Sequence, residues 1–323
     1  MKKGKIPPMD SLFRTLVTIP PAIQEIGVGD WNVFLGSCFA EHIGELFRSA
    51  RLNVVVNPMG TLFCPTSIAK VLDGCDVTSA VKGTAGWHTW LSDTSFSFDS
   101  REECLREVNT ALGGLQQALL QADNLFLTLG TSRAYRLRET NEIVVNCHKH
   151  PQQEFIEEEQ RVEEMADLLG RVLERLHGQN PKLRVTFTVS PFRYAKYGFH
   201  ESQLSKARLL LVADSLQRAH PDWIQYFPAY ELVLDELRDY RFYAEDMLHV
   251  STETVRYIGH RLQEWMSEEL LAYLQRWKPL GQALTHRPFQ QDSAAYQEFC
   301  RQTNTKLEQL QHDYPMLRIE DRL

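Results

Sequence analysis

The chain has 323 residues, 43% of them hydrophobic and 24% charged, with a formal net charge of −7 and a mean hydropathy of −0.34. That balance describes a globular protein with a sizeable core, and its acidic excess argues against a nucleic-acid partner, which normally meets a strong basic excess. No stretch is long and apolar enough to span a membrane, no apolar run follows the basic start Met1-Lys2-Lys3-Gly4-Lys5, and the 6 cysteines form no CxxC pair, so the expectation is a cytoplasmic protein with reduced thiols, no signal peptide and no membrane partner.

Residues 1–29 are punctuated by proline and weakly patterned, and read as a lead-in over the surface. An apolar run at 31–35 predicts a buried strand. It ends at Gly36-Ser37, and Phe39, Ile43, Leu46, Phe47 and Ala50 then recur at helical spacing. A second, β-branched strand at 52–56 is closed by Asn57-Pro58-Met59-Gly60-Thr61. Strand, helix and strand in so few residues form a βαβ unit, with parallel pairing and a right-handed crossover. A helix follows at 65–72. Residues 74–100, rich in Gly, Ser, Thr and aromatics (Trp87, His88, Trp90, Phe96, Phe98), read as loop and short strand.

Residues 102–120 carry a helical stripe and lead into a third strand at 124–129, which ends in Gly130-Thr131-Ser132. A β-hairpin over 135–145 is inserted there. Residues 157–176 read as an amphipathic helix with Val162, Met165, Leu169, Val172 and Leu176 as its stripe. The fourth strand, 183–189, ends at Ser190-Pro191; a helix at 204–217 and a short fifth strand at 224–227 complete the pattern. Then come a charged, aromatic stretch, the sequence Asp246-Met247-Leu248-His249, a long helix at 252–277 and a last helix at 294–311. With no repeats and no clear linker, the simplest architecture is one α/β domain over 1–277 with a helical C-terminal extension over 278–323.

In an open parallel sheet, ligands bind beyond the carboxyl ends of the strands. Gly36-Ser37, 57–60, 130–132 and Asp246–His249 all follow strands, so they converge on one sheet edge. A serine hydroxyl is a poor nucleophile until an imidazole takes its proton, and a carboxylate must hold that imidazole in one tautomer. Asp246 and His249, three residues apart on one loop, meet that need for Ser37. The alternative for Ser37 is a helix N-cap alone. The backbone N–H groups of Ser37 and Gly60 are the expected oxyanion donors. Cys38 is a rival nucleophile expected to pack behind the turn, and Asp235, Glu236, Asp239 and Glu245 are rival orienting acids without the tight spacing to His249.

Cys147, His148 and His150 look like a metal cluster, but the spacing matches no metal motif, and no metal is expected. Asn146, His148 and Lys149 are read as lining the pocket or as structural, Arg193 as a contact to an anionic or hydroxyl-rich substrate or as a surface ion pair, and Trp87, His88 and Trp90 as a lid, a sugar platform or core. The absence of a phosphate-cradling glycine loop argues against a nucleotide cofactor.

Taken together, several blocks resemble the GSCFA family, a branch related to the SGNH (GDSL-like) hydrolases. They are Gly36-Ser37-Cys38-Phe39-Ala40, Asn57-Pro58-Met59-Gly60-Thr61, Leu129-Gly130-Thr131, Asn146-Cys147-His148-Lys149, Ser190-Pro191 with Arg193, and 238–243 running into Asp246 and His249. The similarity covers most of the chain up to about residue 265. It implies a three-layer α/β/α, flavodoxin-like fold with a five-stranded, mostly parallel sheet, and an ester hydrolase site in which Ser37, Asp246 and His249 form the triad and Gly60 is the second-block oxyanion glycine. One block departs from the SGNH pattern. Where Gly-x-Asn supplies a side-chain oxyanion donor, this chain has Gly130-Thr131-Ser132, so Ser132, Thr131 or Asn146 would have to donate instead. The expectation is an esterase that removes a small acyl group from a carbohydrate or other polar carrier without a cofactor. The alternatives are a non-catalytic ligand-binding member of the family and an acyltransferase using the same triad.

Overall fold

The computed structural model of the chain describes residues 14–286 and 293–322; the first 13 residues of the expected lead-in, with its basic start, lie outside them. In β1 (Asn32–Gly36), Val33 and Leu35 enter one core while Phe34 enters the other. Side chains alternate along a strand, so a strand apolar on both faces must be covered on both. The following elements do this in order: α1 (Cys38–Ser49), β2 (Val54–Val56), α2 (Pro65–Asp73), the hairpin β3 (Val81–Gly83) and β4 (Gly86–His88), α3 (Arg101–Gln121) and β5 (Asn124–Leu129).

After β5 the chain forms β6 (Arg133–Leu137), β7 (Ile143–Val144) and β8 (Phe155–Glu159), then α4 (Val162–Gln179), β9 (Arg184–Val189), α5 (Phe199–Ala219) and β10 (Ile224–Tyr226). A single turn, α6 (Ala229–Glu231), continues as a π-turn over Leu232–Leu237. The rest is helical: α7 (Thr252–Leu262), α8 (Glu268–Thr285) and α9 (Ala294–Asp313).

The five main strands run parallel in the order β10-β9-β5-β1-β2. Helices α2 to α5 cover one face, and α1, α7, α8 and α9 cover the other. This is the expected three-layer α/β/α architecture of flavodoxin-like strand order. From β1 the chain moves outward to β2, then returns to the other side through β5, β9 and β10. The order therefore reverses between β1 and β5, the place where such sheets open a crevice at their carboxyl ends. Among the described residues, no helix is long and apolar enough to cross a membrane.

Two predicted elements differ from the structure. Residues 155–159 form β8, antiparallel to β6, and the helix starts only at Val162. The acidic run Glu157-Glu158-Glu159 faces basic partners: Arg136 meets Glu158 at 2.7 Å, Arg208 meets Glu159 at 2.5 Å and Lys196 meets Glu157 at 3.3 Å. Pairing with β6, together with charge pairs to α5 and the segment before it, holds these residues as a strand where the local pattern also fits a helix.

The helix predicted over 252–277 is broken before Glu268. Ile26 N–H donates to Trp265 O at 2.7 Å, and Ser267 N–H donates to Ile26 O at 3.0 Å. The lead-in thus takes backbone groups that would have continued the helix. Ser267 then caps α8 by accepting from Leu270 N–H.

Candidate active site

Gly36 ends β1 at φ +133°, and a Cβ there would lie 2.2 Å from the Thr128 carbonyl oxygen. Only glycine lets β1 and β5 approach so closely at the turn. Gly36 N–H donates to Asn57 Oδ1 at 2.9 Å, which ties the turn to the segment after β2. Ser37 occupies the N-cap position of α1, yet its side chain makes no capping bond. Its Oγ is buried without any hydrogen-bond partner. The helix-cap alternative therefore fails in this structure. The hydroxyl instead lines a cavity of about 440 Å³ at the β1/β5 switch point, together with Cys38, Thr131, Asn146, Ser190 and His249.

The loop after β10 delivers the other two residues. Asp246 Oδ1 accepts from the N–H groups of Leu248 and His249, both at 2.9 Å, and Oδ2 meets His249 Nδ1 at 2.5 Å. The bond to His249, with the two backbone donors, holds the Asp246 carboxyl down to about 2. An ionised carboxylate only accepts, so in the neutral imidazole Nδ1 carries the proton and Nε2 the lone pair. The His249 ring packs on Phe192, 4.4 Å between centroids. His249 and Ser37 line the same cavity but share no hydrogen bond.

The remaining sequence-predicted residues divide. Asn146 lines the cavity; its Oδ1 accepts from His148 N–H, and its amide NH2 makes no hydrogen bond to the described residues. Gly60 does not line the cavity, and its N–H closes the turn on Asn57 O at 2.8 Å. Ser37 N–H donates to Thr128 O at 3.1 Å, because the β1–β5 ladder runs one residue into the turn. Neither N–H is available to an oxyanion as expected. Ser132 is fully buried and turned away: its N–H and Oγ both meet Ser205 Oγ, at 2.8 and 3.1 Å.

His148 is likewise sequestered, bonded to Ser92 O through Nε2 and stacked on His88 at 3.9 Å. Burial and the neighbouring His148 and His150 push His88 down to about 4, and burial also lowers His148, so this stacked pair is packing beside the cavity. Among the described residues no group of three or more His, Cys, Asp or Glu side chains is placed to hold a metal.

Arg193 does not line the cavity. It clamps the Asp246–His249 loop: its N–H donates to Leu248 O at 3.0 Å and Nη1 to Met247 O at 2.9 Å, with the guanidinium over Phe199, Tyr240 and Tyr243. Cys38 reaches the cavity, but burial pushes its thiol up, so the thiolate that a cysteine nucleophile needs is disfavoured.

Lys206 was not anticipated. It is 2% exposed, and its Nζ donates to Gly130 O at 2.6 Å, while its neighbour Ser205 holds Ser132. Together they pin the Gly130-Thr131-Ser132 loop after β5. The sequence signal was a lysine on the buried stripe Ser202, Ser205, Leu209, Val212 and Leu216 of α5. Burial pushes this ammonium from 10.5 down to about 7. Between these two values the unfolded chain binds the proton that the folded chain has released, so folding stability rises with pH across that window. Lys206→Met removes the linkage. In urea unfolding at pH 8 and pH 10, wild type is expected to gain about 2 kcal/mol relative to Lys206→Met, near the one-proton slope of ~1.4 kcal/mol per pH unit. Equal gains in the two proteins would show that folding does not depress the titration of Lys206.

Comparison with known families settles the kinship. The model of the GSCFA family matches residues 32–262, which spans the sheet and every residue of the candidate site.

The chain belongs to the GSCFA family.

The C-terminal domain of GSCFA domain proteins matches residues 277–323 of this GSCFA chain. No curated protein sequence matches it. Among solved structures, an acetyl xylan esterase (Est2A) from the rumen bacterium Butyrivibrio proteoclasticus is similar over 83% of this GSCFA chain and 66% of its own, just under two thirds. Identity is 12% and the TM-score 0.34, too low to transfer an activity.

Proposed function

We propose that this GSCFA protein is a serine ester hydrolase that removes a small acyl group from a polar carrier. One observation carries the reading: a buried serine hydroxyl without a partner shares a cavity with a histidine whose Nδ1 is held by an ionised aspartate. His249 Nε2 takes the proton of Ser37 Oγ as that oxygen attacks the ester carbonyl. The developing oxyanion lies at the N-terminus of α1, where Ala40 N–H is taken by Ser37 O but the N–H groups of Cys38 and Phe39 have no backbone acceptor and the helix dipole favours negative charge. The NH2 of Asn146 is the side-chain donor in place of the missing third-block asparagine. The imidazolium, balanced by Asp246, then gives its proton to the leaving alcohol, and water activated by His249 releases the acid.

Fluorophosphonates label serines activated in this way. Purified protein treated with a fluorophosphonate probe is expected to carry one adduct, located by peptide mass on Ser37, and to hydrolyse p-nitrophenyl acetate until it is labelled. A chain that takes no adduct at Ser37 and turns over no short-chain aryl ester is not a serine hydrolase. Adding an alcohol such as glycerol tests the transferase alternative: acyl glycerol in place of acetate would identify an acyltransferase.

A further inference from the structure

The cavity has a second buried polar atom without a partner, on the wall formed by β6 and β8. Glu157 lies directly across from Tyr135 in the β6–β8 register, and both line the cavity with Tyr194 and Arg133. Glu157 Oε2 lies 3.3 Å from Lys196 Nζ, but Oε1 is buried with no protein partner. Lys196 Nζ also donates to Tyr135 OH at 2.6 Å, which holds the wall in place. A buried carboxylate oxygen left unpaired is unfavourable, by more than a neutral group would be, and native structures rarely keep one without a purpose. Nothing in the acyl-transfer chemistry of Ser37, Asp246 and His249 uses it.

We infer that Glu157 is a specificity-determining residue that accepts a hydrogen bond from a hydroxyl of the alcohol half of the substrate, and that this half is a neutral polyol. The inference rests on the hydrolase reading only for calling that ligand a substrate. A carboxylate oxygen whose partner oxygen faces Lys196 calls for an O–H or N–H donor. Lys196 on the other oxygen already balances the Glu157 charge, and Arg133 in the same lining is paired with Glu201, so no unbalanced negative charge is left to draw an ammonium ligand and a neutral hydroxyl is the matching donor. Tyr135 and Tyr194 add aromatic carbon to the lining, against which the C–H groups between hydroxyls on a polyol ring can pack. Size agrees, since about 440 Å³ is far more than an acetyl group fills and is within the range of small-molecule pockets.

The test is direct binding to the Ser37→Ala protein by calorimetry, with methyl glucoside, methyl xyloside and glycerol as neutral polyols and choline as a cationic control. At least one polyol is expected to bind, choline is not, and Glu157→Gln is expected to weaken polyol binding about tenfold or more, the loss of one charge-assisted hydrogen bond. With ester substrates, Glu157→Gln should lower the ratio of kcat/KM for a mono-acetylated methyl glycoside over p-nitrophenyl acetate by a similar factor, mainly through KM. If Glu157→Gln does not fold, Glu157→Asp, which withdraws the carboxylate by one methylene, reads the same loss. No binding by any polyol, equal binding by the Glu157 variant, or binding of choline in preference would overturn the inference. Because the binding arm needs no turnover, failure of the hydrolase reading leaves it intact, and a labelled, active protein with no polyol affinity refutes this inference alone.

Discussion

Asp246→Asn is expected to lower kcat on p-nitrophenyl acetate by about 10⁴ while KM changes little. The size of the effect follows from the way the loop holds the side chain. Asp246 Oδ1 accepts two backbone N–H groups, from Leu248 and His249, and only an oxygen can remain there. An asparagine must therefore present its NH2 to His249 Nδ1. That group donates, so Nδ1 becomes the acceptor and the imidazole proton moves to Nε2, the nitrogen that would receive the proton of Ser37. The geometry survives and the base is lost. Since Asp246 stays ionised down to about pH 2, no acid limb of the wild-type rate profile above that value belongs to its titration. A drop of less than tenfold in Asp246→Asn would show that His249 is not the base.

The second large effect falls on stability. Gly36→Ala places a methyl group 2.2 Å from the Thr128 carbonyl oxygen and 2.9 Å from Thr128 N, at φ +133°. Both obstacles are backbone in the central strand β5, so neither yields without parting β1 from β5. A loss of about 3–5 kcal/mol is expected in equilibrium urea unfolding, combining an unfavourable backbone conformation with overpacking at a central strand. Fluorophosphonate labelling should fall with it, because the turn that aims Ser37 is the part displaced. Gly113 is the control. A Cβ there meets nothing within 4 Å inside α3, so Gly113→Ala should be neutral or stabilising by up to about 1 kcal/mol. Similar losses at the two glycines would mean that the close approach of β1 to β5 is not what requires Gly36.

Lys206 and Glu157 show why parts of the site were not legible in the sequence. Lys206 lies on a helical stripe that reads as buried, but nothing local says that its ammonium ends on the carbonyl of Gly130, 76 residues away. Glu157 falls in an acidic run with a plausible helical continuation, and only pairing with the basic strand β6 makes it part of a cavity wall. Gly60 and Ser132 fail for a related reason. A small residue at a strand end is a candidate donor from sequence, but whether its N–H or hydroxyl is free depends on neighbours such as Asn57 O and Ser205 Oγ.

What the sequence determined by itself are the features written in local patterns. The five apolar strands and most of the helices follow from hydrophobic period. The turn at Gly36-Ser37 follows from an apolar run that stops at a glycine, and the Asp246–His249 pair from a spacing that one loop can close. These depend on contacts a few residues apart, which composition and period encode directly. Tertiary structure alone decided which of the converging groups remain available: Ser37 Oγ and Glu157 Oε1 without a protein partner, the N–H groups of Gly60 and Ser37 engaged by Asn57 and Thr128, and Arg193 drawn to the loop beneath His249. A hydrogen bond is settled by what lies within about 3 Å, and for these groups the deciding neighbour is brought there by the fold.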